Sequence, residues 1–549
     1  MILFIILSFV LGWFILCAVK LKYFIHMIQL EGYKNDIYIE WMSEHKDKVH
    51  TKNDRIYTVI SIVISLVFLV SSIGIKEKTT EFAFVLTIII IAFLIKNVMM
   101  KYESKKPLVY TQRAKRLYAM TLSLVLADFA ITMGIVFMVT KNLIFYFPLW
   151  AGILSLLYYF CGYYVVLANY LVEPIEKNIN DKFYNEASNK IREFKNITSV
   201  GITGSYGKTS TKFITSTILS EKYKVLKTPD SYNTPMGISK VINNYMSSDY
   251  DIFIAELGAT NIGDIDEVAV LTNPKIGLIT SIGPCHLETF KSIDNIMRTK
   301  YELIERLPND GVAIFNYDNE YVKKLADKTF KEKILYGIEN IENTDIFATD
   351  IKATESGSTF TLCINELGTI ECKTKLLGKH NILNILAGCA VAKTLGLTLE
   401  QMKNGISKIE SVKHRLELID PGTGVIVIDD AFNSNPAGAK AALEVLDEFK
   451  GKRKIIVTPG MVELGEIEEI ENEKFGEYIS QVCDIVILVG EKRTAPILKG
   501  LQKLEFKFNN ENLFVVNSLD EASEVIKLVT KANDVVLFEN DLPDTYNEK

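Results

Sequence analysis

The chain has 549 residues with 61 Lys and Arg against 67 Asp and Glu, a formal net charge of −6. At about 150 residues per domain this allows three or four domains, and the balance of charge excludes the concentrated basic face that nucleic-acid binding needs, so no nucleic-acid partner is expected. Charged residues at 23% and aromatics at 10% exclude wholesale disorder and a small disulfide scaffold, and the positive mean hydropathy comes from the first third of the chain.

Ile2 to Val19 runs uncharged for 18 residues, Ile56 to Ile75 for 20 and Leu143 to Val172 for 30, each enough to cross a hydrocarbon core about 30 Å thick. Phe82 to Met100, interrupted only by Lys96, and Leu117 to Val139, carrying only Asp128, complete five predicted spans. The first reads as a retained span because it lacks a basic leader and a small-residue cleavage site. Lys101 to Arg116 holds six basic residues and one acid, whereas the segments after spans two and four hold two Lys and one Lys. The positive-inside bias therefore places that loop, and everything after Val172, in the cytoplasm of a multi-pass protein of the cell membrane. Lys20 to Arg55 is expected to lie on the membrane surface. Asp128 is expected either to pair with Lys96 or to face a polar group. The seven cysteines are scattered and never paired as C-x-x-C, which suggests neither disulfides nor structural zinc.

Glu173 to Asn196 is charged with apolar residues at helical spacing and reads as a connecting helix. From Ile197 onward, Val- and Ile-rich runs such as SVGIT, YDIFIAEL and KIGLITSIG alternate with helical segments, the pattern of a parallel α/β sheet. Gly357 to Lys373 alternates as an edge hairpin would. A second α/β group, GVIVIDD, KRKIIVTPG, DIVILVG and NDVVLF, follows from Gly424.

The most specific chemistry lies in SVGITGSYGKTSTK, Ser199 to Lys212. Gly204, Ser205 and Gly207 let backbone N–H groups turn toward phosphate oxygens at a helix N-terminus. Lys208 is placed to reach the terminal phosphates, and Thr209 and Ser210 supply hydroxyls, Thr209 for Mg²⁺. A strict P-loop has Gly at 202; here Ile202 stands there. Glu256 and His286 each follow an apolar strand, where open parallel sheets place ligand loops, and suit a second Mg²⁺ or its waters. Lys300 falls on the next helix.

TGSYGKTSTK, NTPMG, AELGA, IGPCHLE, TKYEL, LLGKHNILNILAG, HRLE, IDDAFNSNP and MVELGE occur in the order found in Mur ligases. The chain resembles that family, and within it the MurF branch of UDP-N-acetylmuramoyl-tripeptide D-alanyl-D-alanine ligases, over roughly residues 197 to 500. The resemblance implies a P-loop ATPase-like central domain over 197–413 and a Rossmann-like C-terminal domain over 414–549, after a membrane domain over 1–172 and a linker over 173–196. It implies ATP and Mg²⁺ as cofactors, a muramoyl-peptide-like acceptor, soluble or lipid-linked, and an amino acid or dipeptide as the amine. By the same resemblance Lys208 and Thr209 contact phosphate and Mg²⁺, Glu256 and His286 serve a second Mg²⁺, and Lys300 is the lysine that CO₂ carbamylates. Asn381 contacts nucleotide, Arg415, Asp430 and Asn433 close over ATP, and Asn233 helps place the acceptor.

The departures leave the amine and acceptor open. Five spans replace the UDP-gripping domain, Ser281 stands where Asn is expected and His414 where Gly is expected. Thr458 to Met461 reads TPGM in place of L-G-D-M, and Glu539 to Asp544 replaces a K-G-S-R pattern. A ligase of another envelope polymer remains compatible. A transporter would need more polar residues along its spans than Asp128 and Lys96, and a nucleotide-gated sensor without catalysis would not need the metal ligands.

Overall fold

The computed structural model describes residues 2–71, 78–99, 107–285, 287–354, 357–432, 434–462, 464–503, 507–509 and 511–541. Contacts divide the chain near Asn180 into a helical unit and an α/β unit.

In the helical unit, four described helices are long and apolar enough to cross a membrane: Ile2–Leu30, Lys52–Val70, Thr79–Lys96 and Gln112–Thr140. Phe147–Tyr159 and Cys161–Glu193 make a fifth only if the pair, bent by 64° at Phe160, counts as one span. The uninterrupted apolar run over 143–172 therefore does not form one straight helix. The expected connecting helix over 173–196 is no separate element either, because Cys161–Glu193 continues through Pro174.

The first helix also overruns its expected end at Val19. It continues to Leu30 because Lys20 is neutralised inside the bundle, its Nζ 3.2 Å from Asp54 Oδ2. Tyr158 O–H donates to the other Asp54 oxygen at 2.5 Å, and the Thr51 N–H and hydroxyl donate to Oδ2 at 3.1 and 2.9 Å, so a carboxylate that would oppose burial is both paired and hydrogen-bonded. Beyond it, Asn35–Glu44 and Lys46–Val49 are short helices. Trp13 Nε1 donates to Leu154 O at 2.8 Å and Ser65 Oγ to Pro148 O at 2.6 Å, polar links of the kind that join helices in an apolar medium. Asp128 does not pair with Lys96. Its carboxylate accepts from Tyr164 O–H, and Lys96 donates to Asn53 Oδ1 at 2.9 Å.

The α/β unit holds two sheets among the described residues. The first comprises β1 (Thr198–Thr203), β2 (Val225–Lys227), β3 (Ile252–Glu256), β4 (Ile276–Ile279), β5 (Val312–Asn316), β6 (Lys333–Gly337), β7 (Ile346–Thr354), β8 (Gly357–Ile364) and β9 (Gly368–Thr374). Its order is β2-β3-β1-β4-β5-β6-β7-β8-β9, parallel through β7, with the expected antiparallel hairpin at the edge. Both faces are covered, so strand residues alternate between two cores: Ile252 and Ile254 join Val200, Ile202, Ile214 and Ile385, while Phe253 and Ala255 join Ile238, Val268 and Leu303.

The second sheet comprises β10 (Glu417–Ile419), β11 (Ile426–Asp430), β12 (Lys454–Thr458), β13 (Ile485–Val489), β14 (Leu513–Val516) and β15 (Val535–Glu539). Its order is β10-β11-β15-β12-β13-β14, with only β10 antiparallel. β10 and β14 were not legible as strands; each is short and lies at a sheet edge, where half-exposed positions carry little apolar pattern.

Candidate active site

β1 is flanked by β3 and β4, and the chain leaves β1 toward β2 on one side and reaches β4 on the other. The crevice beyond the carboxyl ends of these strands is where open α/β sheets bind ligands. The loop leaving β1, Gly204 to Gly207, fills it and runs into the helix Lys208–Leu219.

Gly204 has φ +151° and Gly207 φ +77°. A Cβ on Gly204 would collide with Thr280 Oγ1, and one on Gly207 would stand 2.9 Å from Asn384 Oδ1. The segment after β4 braces the loop: Ser205 N–H donates to Ser281 O at 2.6 Å, and Thr280 and Ser281 hydroxyls donate to Tyr206 O at 2.5 and 3.1 Å. Ser281 thus holds the loop with its hydroxyl where an amide was expected. No side chain caps the helix at Gly207, so its first N–H groups and their positive end stay directed at the crevice, as anion binding requires. Lys208 Nζ donates to Gly204 O at 2.8 Å and Ser205 O at 3.2 Å, folding the ammonium over the loop.

Glu256, at the end of β3 and 1% exposed, gathers the neighbouring residues. Thr209 Oγ1 and Lys212 Nζ each donate to its Oε2 at 3.0 Å, and Asn233 Nδ2 donates to Oε1 at 3.1 Å. Burial pushes this carboxyl up, but Lys212 and Lys208 outweigh burial and hold it below the usual range, so it is ionised. The Thr209 and Glu256 oxygens lie 3.0 Å apart, close to the separation of about 2.9 Å that adjacent oxygens take around octahedral Mg²⁺. One hydroxyl and one carboxylate fit such an ion, with waters and phosphate oxygens completing its shell.

Lys300, on the helix Ile293–Arg306, is 2% exposed. Its Nζ stands 5.8 Å from the Phe290 ring centroid, and no carboxylate lies within ion-pair distance among the described residues. Burial first, then Lys208, lowers its pKa to about 7. Burial lowers Lys208 too, and Arg415, on the turn just before β10, adds to the effect.

Arg415 stacks on Phe432, its Cζ 4.2 Å from the ring centroid. It lies between His414 and Leu416, both left-handed at φ +60° and +48°, so the position where Gly was expected keeps a glycine-like backbone. Asp430 Oδ1 accepts the Leu416 N–H at 3.1 Å and secures that turn. Burial raises Asp430 to about 6, with Arg415 opposing.

Asn381 is buried, its Nδ2 donating to Leu377 O at 2.9 Å. The residue of that helix that meets the loop is Asn384, whose Oδ1 accepts from Thr211 Oγ1 at 3.1 Å. Ser210 is half-buried in the first turn of the loop helix. His286 and Asn433 lie outside the described residues. Sequence reasoning missed Lys212, Asn384 and Thr280. Lys212 carried a signal, a cation four residues after Lys208 and hence one helical turn further along the same face.

Residues 202–392 match the family model of the Mur ligase middle domain, and residues 414–539 that of the Mur ligase glutamate ligase domain. UDP-N-acetylmuramoyl-tripeptide–D-alanyl-D-alanine ligase of Bacillus subtilis is 30% identical over 341 residues, 62% of this chain and 72% of that enzyme. The chain belongs to the Mur ligase family. The enzyme of the same name from Escherichia coli is 33% identical over 297 residues, 54% of this Mur ligase and 65% of the relative, so the chain spans slightly less than two thirds of that relative's length. Among solved structures, MurF from Acinetobacter baumannii superposes with a TM-score of 0.59 at 25% identity, covering 66% of this chain and 77% of its own. MurF from Thermotoga maritima in complex with ADP superposes with a TM-score of 0.59 at 26% identity, covering 67% and 81%. The helical bundle falls outside both family matches.

Proposed function

We propose that this Mur ligase is an ATP-dependent amide ligase of the MurF type, held in the membrane by its N-terminal helices, with its α/β unit at the cytoplasmic face. It joins an acceptor carboxylate to an amino acid or dipeptide amine in peptidoglycan synthesis. The observation that carries the reading is the uncapped helix N-terminus at Gly207 with Lys208 over the loop and Thr209 on Glu256. In the first step the acceptor carboxylate attacks the γ-phosphorus of ATP, ADP leaves and an acyl phosphate forms. The amine then attacks the acyl carbon, gives up a proton and expels inorganic phosphate. Lys208, the loop N–H groups and Arg415 stabilise the negative charge that both steps place on oxygens. Glu256 and Thr209 would hold Mg²⁺, whose charge would neutralise the phosphates. Asn233 orients Glu256 and borders the acceptor, and the family likeness assigns Asn381, Asp430 and Asn433 to the nucleotide.

Lys300 is the carbamylation site in this reading. The neutral amine attacks CO₂ and releases one proton, and the resulting carbamate carries one negative charge. A pKa of about 7 supplies that neutral amine, where an unperturbed lysine near 10.4 would not. The family likeness assigns His286 a role toward the second metal.

The test is phosphate release by the full-length protein with ATP, Mg²⁺, D-alanyl-D-alanine or other amines, and either nucleotide-linked or lipid-linked muramoyl peptide. Acceptor- and amine-dependent release supports the reading; ATP turnover independent of both would overturn it. The replaced segment at Glu539 to Asp541 favours testing a second reading, ligation in another envelope polymer, with acidic acceptors in the same assay.

A further inference from the structure

His414, Glu417 and Asp429 bring three metal-binding side chains together on the antiparallel pair β10/β11. Glu417 and Asp429 are direct partners in the ladder, so two carboxylates face each other across the strands, an arrangement that repels unless a cation lies between them. His414 brings its ring to the same place, Nδ1 standing 2.7 Å from Asp429 Oδ2. One donor atom from each of the three residues lies within 4.8 Å of the others.

The donors are prepared for this. Asp429 Oδ1 accepts the Ala431 N–H at 3.1 Å, leaving Oδ2 toward the imidazole. Glu417 Oε2 accepts the His414 N–H at 3.2 Å, which ties the carboxylate to the backbone of the same turn. The His414 side chain is 44% exposed and that of Asp429 16%, so an ion enters from solvent without any rearrangement of the fold. The neighbours Arg415 and Asp430 are engaged elsewhere, on Phe432 and the Leu416 N–H.

We propose that His414, Glu417 and Asp429 bind a divalent transition-metal ion of the Zn²⁺ class, at a site separate from the Mg²⁺ of the phosphate loop. One imidazole nitrogen and two carboxylate oxygens are a donor set that Zn²⁺ and Co²⁺ accept, whereas Mg²⁺ takes oxygen ligands and keeps its waters. Tetrahedral Zn²⁺ with bonds of about 2.0 to 2.1 Å separates its ligand atoms by about 3.3 Å. The histidine and Asp429 oxygen therefore open by about 0.6 Å to admit it. Three protein donors leave a fourth position for water. The bound ion pins β10 to β11 beside the turn that carries Arg415.

The probe is Co²⁺, added to full-length protein in detergent with Mg²⁺ and ADP kept in excess so that the loop site is occupied. The wild type is expected to hold one equivalent of Co²⁺ with the visible absorption of a low-coordinate ion, displaced by Zn²⁺. His414→Gly removes the ligand at a position whose φ of +60° suits glycine, so the variant folds at least as well as the wild type. It is expected to bind Co²⁺ at least about 10-fold more weakly and to lose the thermal stabilisation that Zn²⁺ gives the wild type. Asp429→Asn is expected to behave alike. Equal Co²⁺ stoichiometry and spectrum in wild type and His414→Gly, or no Co²⁺ retained by the wild type, would overturn the proposal.

Discussion

Lys212→Met tests whether the Glu256 carboxylate is held by its buried partner. The Lys212 and Glu256 side chains are 0% and 2% exposed, with Nζ and Oε2 3.0 Å apart, and Lys212 also donates to Asp230 O. Methionine keeps most of the stem and removes the charge, leaving a buried carboxylate short of one partner. Breaking such a pair from one side costs about 3 to 5 kcal/mol. Thr209, Asn233 and Lys208 remain around Glu256, so the lower end, about 3 kcal/mol, is expected. For a domain of this size each kcal/mol moves the melting temperature by about 2 to 4 °C, giving a fall of roughly 6 to 12 °C. All three tryptophans, Trp13, Trp41 and Trp150, lie in the helical unit, so their fluorescence monitors the bundle while calorimetry with and without ADP identifies the ligase transition. The double variant Lys212→Met/Glu256→Gln removes both charges and is expected to recover most of the loss, yet to form no ADP. A Lys212→Met protein melting within about 2 °C of wild type, or a double variant no more stable than the single, would refute the reasoning.

Lys208→Ala is expected to abolish acceptor-dependent ADP formation while leaving the melting profile nearly unchanged, because Lys208 is half-buried and among the described residues bonds only its own loop carbonyls; undiminished turnover would refute its role. Lys300→Ala should lose activity and regain part of it with short carboxylic acids, and wild-type activity under limiting CO₂ should climb as pH rises through about 7, where the amine becomes neutral. A bare amine by mass spectrometry in an active enzyme would contradict this. Glu539 is 1% exposed between Ser434 and Thr458, and burial raises its carboxyl to about 8. Since the folded state favours the protonated form, stability is complete below the free value near 4.5 and declines as pH rises toward 8, by up to about 1.4 kcal/mol per unit. Glu539→Gln is expected to flatten that decline in melting scans between these limits.

The phosphate loop was legible because its information is local: two glycines, a lysine and a threonine within six residues dictate a strand, a turn and a helix wherever they occur. The apolar runs were legible for the same reason, since length and lack of charge set whether a helix suits a bilayer. Parallel strands such as β3 and β13 showed as Val- and Ile-rich runs because both of their faces are covered. What composition does not carry is the choice of partner. Lys212 meets Glu256 across 44 residues and Thr211 meets Asn384 across 173, and each pairing exists only because neighbouring strands and a covering helix end at one crevice. In the bundle, the break at Phe160, the burial of Lys20 on Asp54 and the turn of Asp128 to Tyr164 instead of Lys96 were likewise decided by which helices lie side by side. A charged group in an apolar interior takes whichever donor the packing brings within about 3 Å. Hydrophobic pattern fixes the elements, and the geometry of their assembly assigns each polar group its partner.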